Sequence, residues 1–407
     1  MNIKLIWLLD YYLGLLICLI LAPLGFFKTI TRKTTTRKNK TKPIKKILII
    51  KLSEMGAIIL SYPFIKKLQQ ENPQAEVYFL TFERNKEIFF YLYKDLILSE
   101  NLFLIKDSGV FSFVIDTLTN LKKIRKEKMD IVFDLELFSR FTAIYSFMCN
   151  IPAIVGFYHF CMEGLYRGNF LTHRFAYNPL VHISKTYLSL ACATKIQYKF
   201  NPEITEKIEE EETSWPQLIP DPQIVEETKK KLNLFIPLKS HYKIYIINPG
   251  NNLLPIREWP LQNFISLSLM LLENQSHYII LAGSQSDEKK CELLFNKLKH
   301  SRCLNLCNRF SLPELSAFFY LSTALICNDC GLVHLASLTQ VKKFILFGPE
   351  SNQIFGPMGR NNWIFNTQWP CSPCLSAYNH RKTLCDNPAC LNSIKPRDVY
   401  LEVMKET

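Results

Sequence analysis

Apolar runs alternate with amphipathic stretches along most of the chain. A run at 47–52 is followed by a loop that contains Gly56, a helical pattern to about Gln70 and a second apolar run at 77–82. A strand, loop, helix and strand within about 35 residues are typical of a parallel crossover. The pattern continues with strands predicted at 102–105, 130–133 and 153–157, and with helices predicted at 112–128 and 139–149.

A second series of the same kind begins at Tyr242. Its predicted strand segments lie at 243–250, 278–283, near 304, at 324–329 and at 342–348. Its predicted helices lie at 261–273, from 286, from 312 and through His334. The two series predict an α/β fold with two Rossmann-like, doubly wound domains, at 47–200 and 241–407. Residues 201–240 contain four consecutive glutamates, several prolines and a lysine-rich patch, a composition that is typical of a solvated linker.

The first 46 residues differ from the rest of the chain. Residues 11–27 form an uncharged apolar run of 17 residues, and nine Lys or Arg residues with no acid follow between Lys28 and Lys46. A helix of this length spans or nearly spans the hydrocarbon core of a bilayer, which is about 30 Å thick. We therefore expect a membrane anchor at 1–30 and a basic linker at 31–46. The positive-inside rule then places the remaining chain on the cytoplasmic side of the inner membrane, against the cytoplasmic leaflet.

Three other interpretations are a cleaved signal peptide, a re-entrant anchor and a nucleic-acid binder. A cleaved signal peptide carries its positive charge before the apolar run, whereas here the charge follows the run and no small-residue cleavage site is evident. Pro23 and Gly25 leave a re-entrant anchor open, because proline weakens the helix. The formal net charge of +13 suggests a nucleic-acid binder, but nine of these charges lie at 28–46, where there is no aromatic residue to stack on a base.

Cysteine usage indicates a reducing compartment, because most of the thirteen cysteines are scattered singly through apolar segments. One group stands apart, with the spacing Cys371-x2-Cys374-x10-Cys385-x4-Cys390. Paired cysteines of this kind fit a structural zinc site that clips the C-terminal tail to the domain. The spacing is looser than in a standard zinc ribbon, so a disulfide pair and unlinked thiols stay open as alternatives.

Candidate binding residues follow the predicted strands, where doubly wound sheets bind their ligands. Glycine and small polar residues come after the first strand of each series, at 53–57 and 248–252, and Asn-Asp-Cys-Gly occupies 328–331. Backbone N–H groups exposed at such turns bind anions, and Arg257 adds a permanent positive charge suited to a diphosphate. Asp329 can cap the helix that begins at Gly331, with His334 one turn along. No P-loop, G-x-G-x-x-G after a strand, HExxH or G-x-S-x-G motif is present.

Taken together, these segments resemble glycosyltransferase family 9, the heptosyltransferases of lipopolysaccharide core assembly and their relatives. The resemblance extends over roughly residues 45–400. Its most specific part is the Asp-x-Gly-x-x-His segment of LICNDCGLVHLASLTQVKKFILFGP, and INPGNN with REWPLQNF supports it independently. It also rests on KILIIKLSEMGAIILSYPFIKKLQQENPQAEVYFLT and on IILAGSQSDE.

The resemblance implies a GT-B fold, in which two Rossmann-like domains face a cleft, and metal-independent catalysis that inverts the anomeric centre. No cofactor is then required. The donor is a nucleotide-diphosphate sugar bound by the second domain, and the first domain binds the acceptor. By similarity, Arg257 neutralises the leaving group at a position where the family has lysine. The same similarity places Asp329, Cys330, Gly331 and His334 at the positions that hold the donor's diphosphate and sugar, Asn251 and Asn252 beside the phosphates, and Asp287 or Glu288 near the nucleoside. Gly56 and Gly250, in the turns after the first strand of each series, are further candidates for donor binding.

One departure from the family pattern affects the chemistry. The family commonly has Gly-Asp in the first loop, and that aspartate is its proposed general base, but this chain has Gly56-Ala57. Alanine cannot accept a proton. Glu54 is the nearest carboxylate in the same loop and therefore the best substitute.

The sequence thus predicts a glycosyltransferase that transfers a sugar, such as a heptose, to a lipopolysaccharide or other lipid-linked glycan. The alternative, motivated by Ala57, is a catalytically silent relative that acts as a binding or scaffolding protein at the membrane.

Overall fold

The computed structural model describes residues 8–25, 43–52, 54–158, 165–195, 199–203, 215–236, 239, 241–250 and 254–407. The chain divides into two compact units, Met1–Ser214 and Trp215–Thr407. Each unit is built around its own parallel β-sheet.

The first unit contains a parallel sheet of seven strands within its described residues, in the order β3-β2-β1-β4-β5-β6-β7. Four consecutive side chains of β1 are buried, because helices cover both faces of a parallel sheet. The strands are β1 Lys46–Ile50, β2 Glu76–Phe82, β3 Leu102–Ile105, β4 Ile131–Asp134, β5 Ala153–Tyr158, β6 His173–Ala176 and β7 Lys199–Glu203. The helices are α1 Met55–Leu60, α2 Tyr62–Glu71, α3 Lys86–Tyr93, α4 Val110–Glu127, α5 Arg140–Met148 and α6 Ile183–Leu190.

The second unit contains a parallel sheet of six strands within its described residues, in the order β10-β9-β8-β11-β12-β13. The strands are β8 Lys243–Asn248, β9 His277–Leu281, β10 Cys303–Asn305, β11 Ala324–Asn328, β12 Lys342–Leu346 and β13 Asn362–Phe365. The helices are α7 Pro222–Asn233, α8 Leu261–Leu272, α9 Glu288–Leu298, α10 Leu312–Tyr320, α11 Gly331–Ala336, α12 Asn352–Phe355, α13 Ala389–Asn392 and α14 Pro396–Glu406.

The two parallel α/β sheets confirm the predicted fold class at this level. The apolar runs predicted as strands form β1 to β5 and β8 to β12. The pattern did not predict strands β6, β7 and β13 or helices α3, α6, α12, α13 and α14. The second unit begins at Trp215, within the segment expected to be a linker, because α7 packs against α10 and its Lys231 Nζ lies 3.1 Å from Glu314 Oε1.

Of the spanning anchor expected at 1–30, the structure describes residues 8–25. No helix among the described residues has both the length and the apolarity needed to cross a bilayer. Residues 8–25 are helical, with π-helical geometry at Leu9–Leu13, and they lie against the first unit. We refer to residues 8–25 as the N-terminal helix.

Small residues and one carboxylate fix the N-terminal helix to α5. Cys18 is fully buried among Ala143, Phe147 and Phe170, and burial raises the pKa of its thiol to about 11. A side chain at Gly14 would come within 2.9 Å of Arg140 Cβ, so only glycine allows this approach. Asp10 accepts the Phe141 backbone N–H at 2.7 Å and that of Arg140 at 3.2 Å, at the first turn of α5. The hydropathy pattern alone did not predict this protein-facing side.

Lys343 generates a prediction for stability. Its ammonium is fully buried on β12, donates to the carbonyl oxygens of Val341 and Arg360, and has its pKa lowered by burial to about 8. Between about pH 8 and pH 10.5 the Lys343 side chain therefore binds a proton in the unfolded chain but not in the folded chain. This difference raises the free energy of unfolding as the pH rises.

We expect the unfolding free energy of the wild type, relative to that of Lys343→Met, to rise by up to about 1.4 kcal/mol per pH unit above pH 8. Urea unfolding of both proteins from pH 7 to pH 10 measures the difference. Parallel pH profiles for the two proteins would contradict this assignment.

Candidate functional site

The central feature of the second unit is a buried ion pair beyond the ends of two adjacent strands. β8 and β11 lie side by side in the sheet. Arg257, in the loop after β8, donates through Nη2 to the Asp329 carboxylate and, at 3.1 Å, to the Asp329 carbonyl oxygen. The two side chains are only 7% and 4% exposed. A guanidinium held in this way has a fixed orientation at the sheet edge where doubly wound folds bind ligands.

The side chain of Asn328, at the end of β11, bonds to backbone groups in the segment that follows β8. Its Oδ1 accepts the Trp259 backbone N–H at 2.9 Å, and its Nδ2 donates to the Pro249 carbonyl oxygen at 3.0 Å. The buried Trp259 indole donates to the Ile394 carbonyl oxygen at 3.1 Å. These bonds position Arg257, which lies two residues before Trp259.

Gly250 and Asp287 meet at close range in the neighbouring turn. A Cβ at position 250 would collide with Asp287 Oδ1, so glycine is required there. Asp287 Oδ2 accepts the backbone N–H of Ser284 at 2.9 Å and its hydroxyl at 2.8 Å, forming a capping box before α9. Glu288 Oε1 accepts a bond from Asn308 at 2.9 Å. Asp287 thus lies directly against Gly250, and Glu288 is the first residue of α9.

The segment Cys330 to His334 begins α11. Cys330 is the N-cap residue, with extended backbone, and Gly331 is the first helical residue. His334 is buried, and so is the side chain of Cys327, whose thiol pKa is raised by desolvation and by hydrogen bonding with Cys330. Asp329 was expected to cap this helix, but the N-cap position belongs to Cys330 and the Asp329 carboxylate pairs with Arg257. Asn251 and Asn252 lie outside the described residues.

In the first unit, Glu54 directly precedes α1. Its carbonyl oxygen accepts the Ala57 N–H at 3.0 Å and the Ile58 N–H at 3.3 Å, so Glu54 is the N-cap residue of a short helix that contains Gly56. Its side chain is partly exposed at the carboxyl end of β1. This position keeps a carboxylate at the start of α1, the helix that contains Ala57.

Charged residues beyond those predicted from the sequence lie at the same edge of the first unit's sheet. Lys51 Nζ is 3.1 Å from Glu136 Oε2, and Glu136 Oε1 accepts the Leu52 N–H at 2.7 Å. Burial opposes the charge of Lys51, but Glu136 and Tyr187 raise its pKa above the usual value. Charged residues directly after the apolar runs of β1 and β4 were the sequence signal for this cluster.

A second buried pair completes the cluster. Asp134 accepts a bond from Arg167, and its carboxyl pKa is raised by burial, against which Arg167 acts. Arg167 Nη1 also donates to the Glu136 carbonyl oxygen at 3.0 Å. The loop after β4 is therefore held in place by buried charges.

The C-terminal cysteines show no arrangement of metal ligands. Among the residues that the structure describes, no group of three or more His, Cys, Asp or Glu side chains could hold a metal ion. Cys371, Cys374, Cys385 and Cys390 are free thiols, and Cys374 Sγ lies 3.8 Å from the Thr383 hydroxyl. The zinc assignment stays a prediction.

Comparison with known families identifies the chain. Residues 120–384 match the model of glycosyltransferase family 9 (heptosyltransferase). This chain belongs to glycosyltransferase family 9. The matched range includes Arg257, Asp329, Gly331 and His334, and thus the family resemblance of the donor segment is confirmed.

Individual family members are related at modest identity. The chain is 26% identical over 175 residues to lipooligosaccharide heptosyltransferase 2 of Campylobacter jejuni, a match covering 41% of this chain and 52% of that protein. It is 28% identical over 147 residues to lipopolysaccharide heptosyltransferase 2 of Salmonella typhimurium, covering 35% and 41%. The chain thus spans about half the length of these curated relatives.

Solved structures of the family share the fold. The Escherichia coli ADP-heptose lps heptosyltransferase II matches with a TM-score of 0.66 at 19% identity, over 88% of this chain and 97% of that one. A family 9 glycosyltransferase from Veillonella parvula matches with a TM-score of 0.68 at 17% identity, over 89% and 97%. This likeness supports a GT-B-like architecture for the two units.

The buried pair predicts a strong energetic coupling. Removing either partner leaves a buried charge, so Arg257→Met and Asp329→Asn should each lower the unfolding free energy of the second unit by about 3 kcal/mol. The double variant should lose at least about 1 kcal/mol less than the two single losses added together. Urea unfolding of the four proteins measures this coupling, and additive losses would show that the pair contributes nothing.

Proposed function

We propose that this family 9 member is an inverting glycosyltransferase that transfers a heptose-like sugar from a nucleotide-diphosphate donor to a lipopolysaccharide-type acceptor. The family match and the heptosyltransferase relatives support the reaction class and the acceptor class. The observation that carries the proposal is the buried, oriented Arg257 at the ligand-binding edge of the second sheet. We further propose that the enzyme works at the cytoplasmic face of the inner membrane, where a lipid-linked acceptor is within reach.

In the proposed reaction the acceptor hydroxyl oxygen attacks the anomeric carbon as the bond to the diphosphate breaks. The electron pair leaves with the diphosphate, so negative charge grows on the phosphate oxygens. Arg257 stabilises that charge, and its pairing with Asp329 removes the need to reorganise during the reaction. A permanent cation in this role makes a metal ion unnecessary.

The acceptor hydroxyl must lose its proton in this step. Glu54 is proposed to take it, since it supplies a partly exposed carboxylate just before α1, the helix in which Ala57 cannot accept a proton. Glu136 also lies at this sheet edge, but both of its carboxylate oxygens are engaged, one by Lys51 and the other by the Leu52 N–H. Glu54 is proposed as the base because of its position, three residues before Ala57.

The base assignment predicts a selective loss of turnover. Glu54→Gln keeps the size of the side chain but removes the proton acceptor, so kcat should fall by about a hundredfold or more. Donor binding should stay the same. The matched control is Glu100→Gln, at an exposed position on the same unit, which should react like the wild type. A near-wild-type rate for Glu54→Gln would refute the assignment.

The donor assignment predicts stabilisation by one nucleotide class. At a hundredfold excess over its dissociation constant, a true donor should raise the unfolding free energy by about 2.7 kcal/mol. We expect such a shift from one of ADP-, GDP- or UDP-sugars with the full chain, and a much smaller shift with Arg257→Met. No shift from any of these sugars would contradict the donor proposal.

A second candidate function follows from Ala57 itself. A protein that binds the donor but transfers no sugar would be a membrane-associated binding or scaffolding protein. Calorimetric binding of the donor, with no transfer to any lipopolysaccharide-type acceptor, would favour this candidate.

A further inference from the structure

We propose that the N-terminal helix lies in the plane of an anionic lipid surface and docks the first unit onto it. This deepens the proposed membrane location and does not depend on catalysis. The proposal differs from a spanning anchor, because one side of the helix belongs to the fold of the first unit.

The protein-facing side of the helix sets its orientation. Gly14, Cys18 and Gly25 are buried, and Leu21 packs on the cluster of Cys18, Ala143, Phe147 and Phe170. Asp10, the acidic residue at one end of the segment, is used in bonds to the first turn of α5. The helix therefore lies along the surface of the unit, with its opposite side directed outward.

That outward side is entirely apolar. Its large side chains are between 43% and 66% exposed, and they recur three, four or one residues apart, as expected for one broad face of a helix. They are Leu8, Leu9, Tyr12, Leu13, Leu16, Leu19, Ile20 and Leu24. Contiguous apolar surface of this kind marks an interaction site, whereas single exposed leucines do not.

The charge that follows indicates which partner covers this face. Nine Lys or Arg residues and no acidic residue occupy 28–46, immediately after the helix in the chain. An apolar helix face beside dense positive charge is suited to a lipid surface with anionic headgroups, where the apolar side chains enter the acyl boundary and the basic ones meet phosphates. An apolar protein partner or a second copy would explain the helix face but not the charge.

Vesicle flotation of the full chain tests the proposal. The wild type should float with vesicles of phosphatidylcholine containing about 30% phosphatidylglycerol, and at least about tenfold less with phosphatidylcholine alone. Leu16→Glu with Ile20→Glu places two charges on the outward face, and binding should fall at least about tenfold.

The matched control places the same charges on exposed leucines elsewhere. Leu180→Glu with Leu234→Glu alters side chains that are 81% and 80% exposed, and this variant should float like the wild type. Circular dichroism and thermal unfolding confirm that each variant is folded. Transfer to a detergent-dispersed acceptor is measured separately, so a failure of docking is distinguishable from a failure of the proposed reaction.

A depth measurement separates a helix in the plane from one that crosses. Tryptophan placed by Leu16→Trp should be quenched more strongly by lipids brominated near the headgroup than by lipids brominated near the chain ends. Deeper quenching, equal flotation of the Leu16→Glu/Ile20→Glu variant, or no flotation of the wild type would each overturn the proposal. So would a wild-type dimer that becomes monomeric in that variant, since the face would then join two copies.

Discussion

The order of strands in the two sheets determines where chemistry can occur. In each unit the first strand lies between the strand that follows it in the chain and one that arrives after a crossover, so β1 meets β4 and β8 meets β11. Polar groups from loops distant in sequence converge at the carboxyl ends of these pairs. Lys51 with Glu136, and Arg257 with Asp329, are the result. Both units thus place buried charge at the equivalent point of their fold.

Much of this fold could be predicted from the sequence, because strands buried on both faces appear as unbroken apolar runs. The site could be predicted in part. Arg257, Asp329 and Glu54 follow strands, but the pairing of Arg257 with Asp329 joins residues 72 positions apart and depends on the register of β8 against β11. Glu136 was missed for the same reason, because its partners Lys51 and Leu52 directly follow another strand, β1.

The N-terminal helix shows a limit of hydropathy. An apolar run has the same hydropathy whether it contacts lipid or protein, so residues 11–27 alone favoured a spanning anchor. Gly14 and Cys18 indicate the side of the helix that faces the protein, since small residues on one side of a helix permit close packing against another element. Asp10 also indicates a protein contact, because a carboxylate in an apolar run needs a hydrogen-bond partner. Its partner is the backbone of α5.

Asp10 also begins a continuous series of contacts that extends through α5 to the loop after β4. It bonds to the first turn of α5, the Thr142 hydroxyl in that turn donates to Asp134 at 2.9 Å, and Asp134 holds Arg167 against the loop after β4. A shortened protein without residues 1–25 would lose the acceptor for the N–H groups at the start of α5, and not only an apolar surface. Kinetic constants from such a fragment would therefore describe a first unit in which the start of α5 and the loop after β4 are altered.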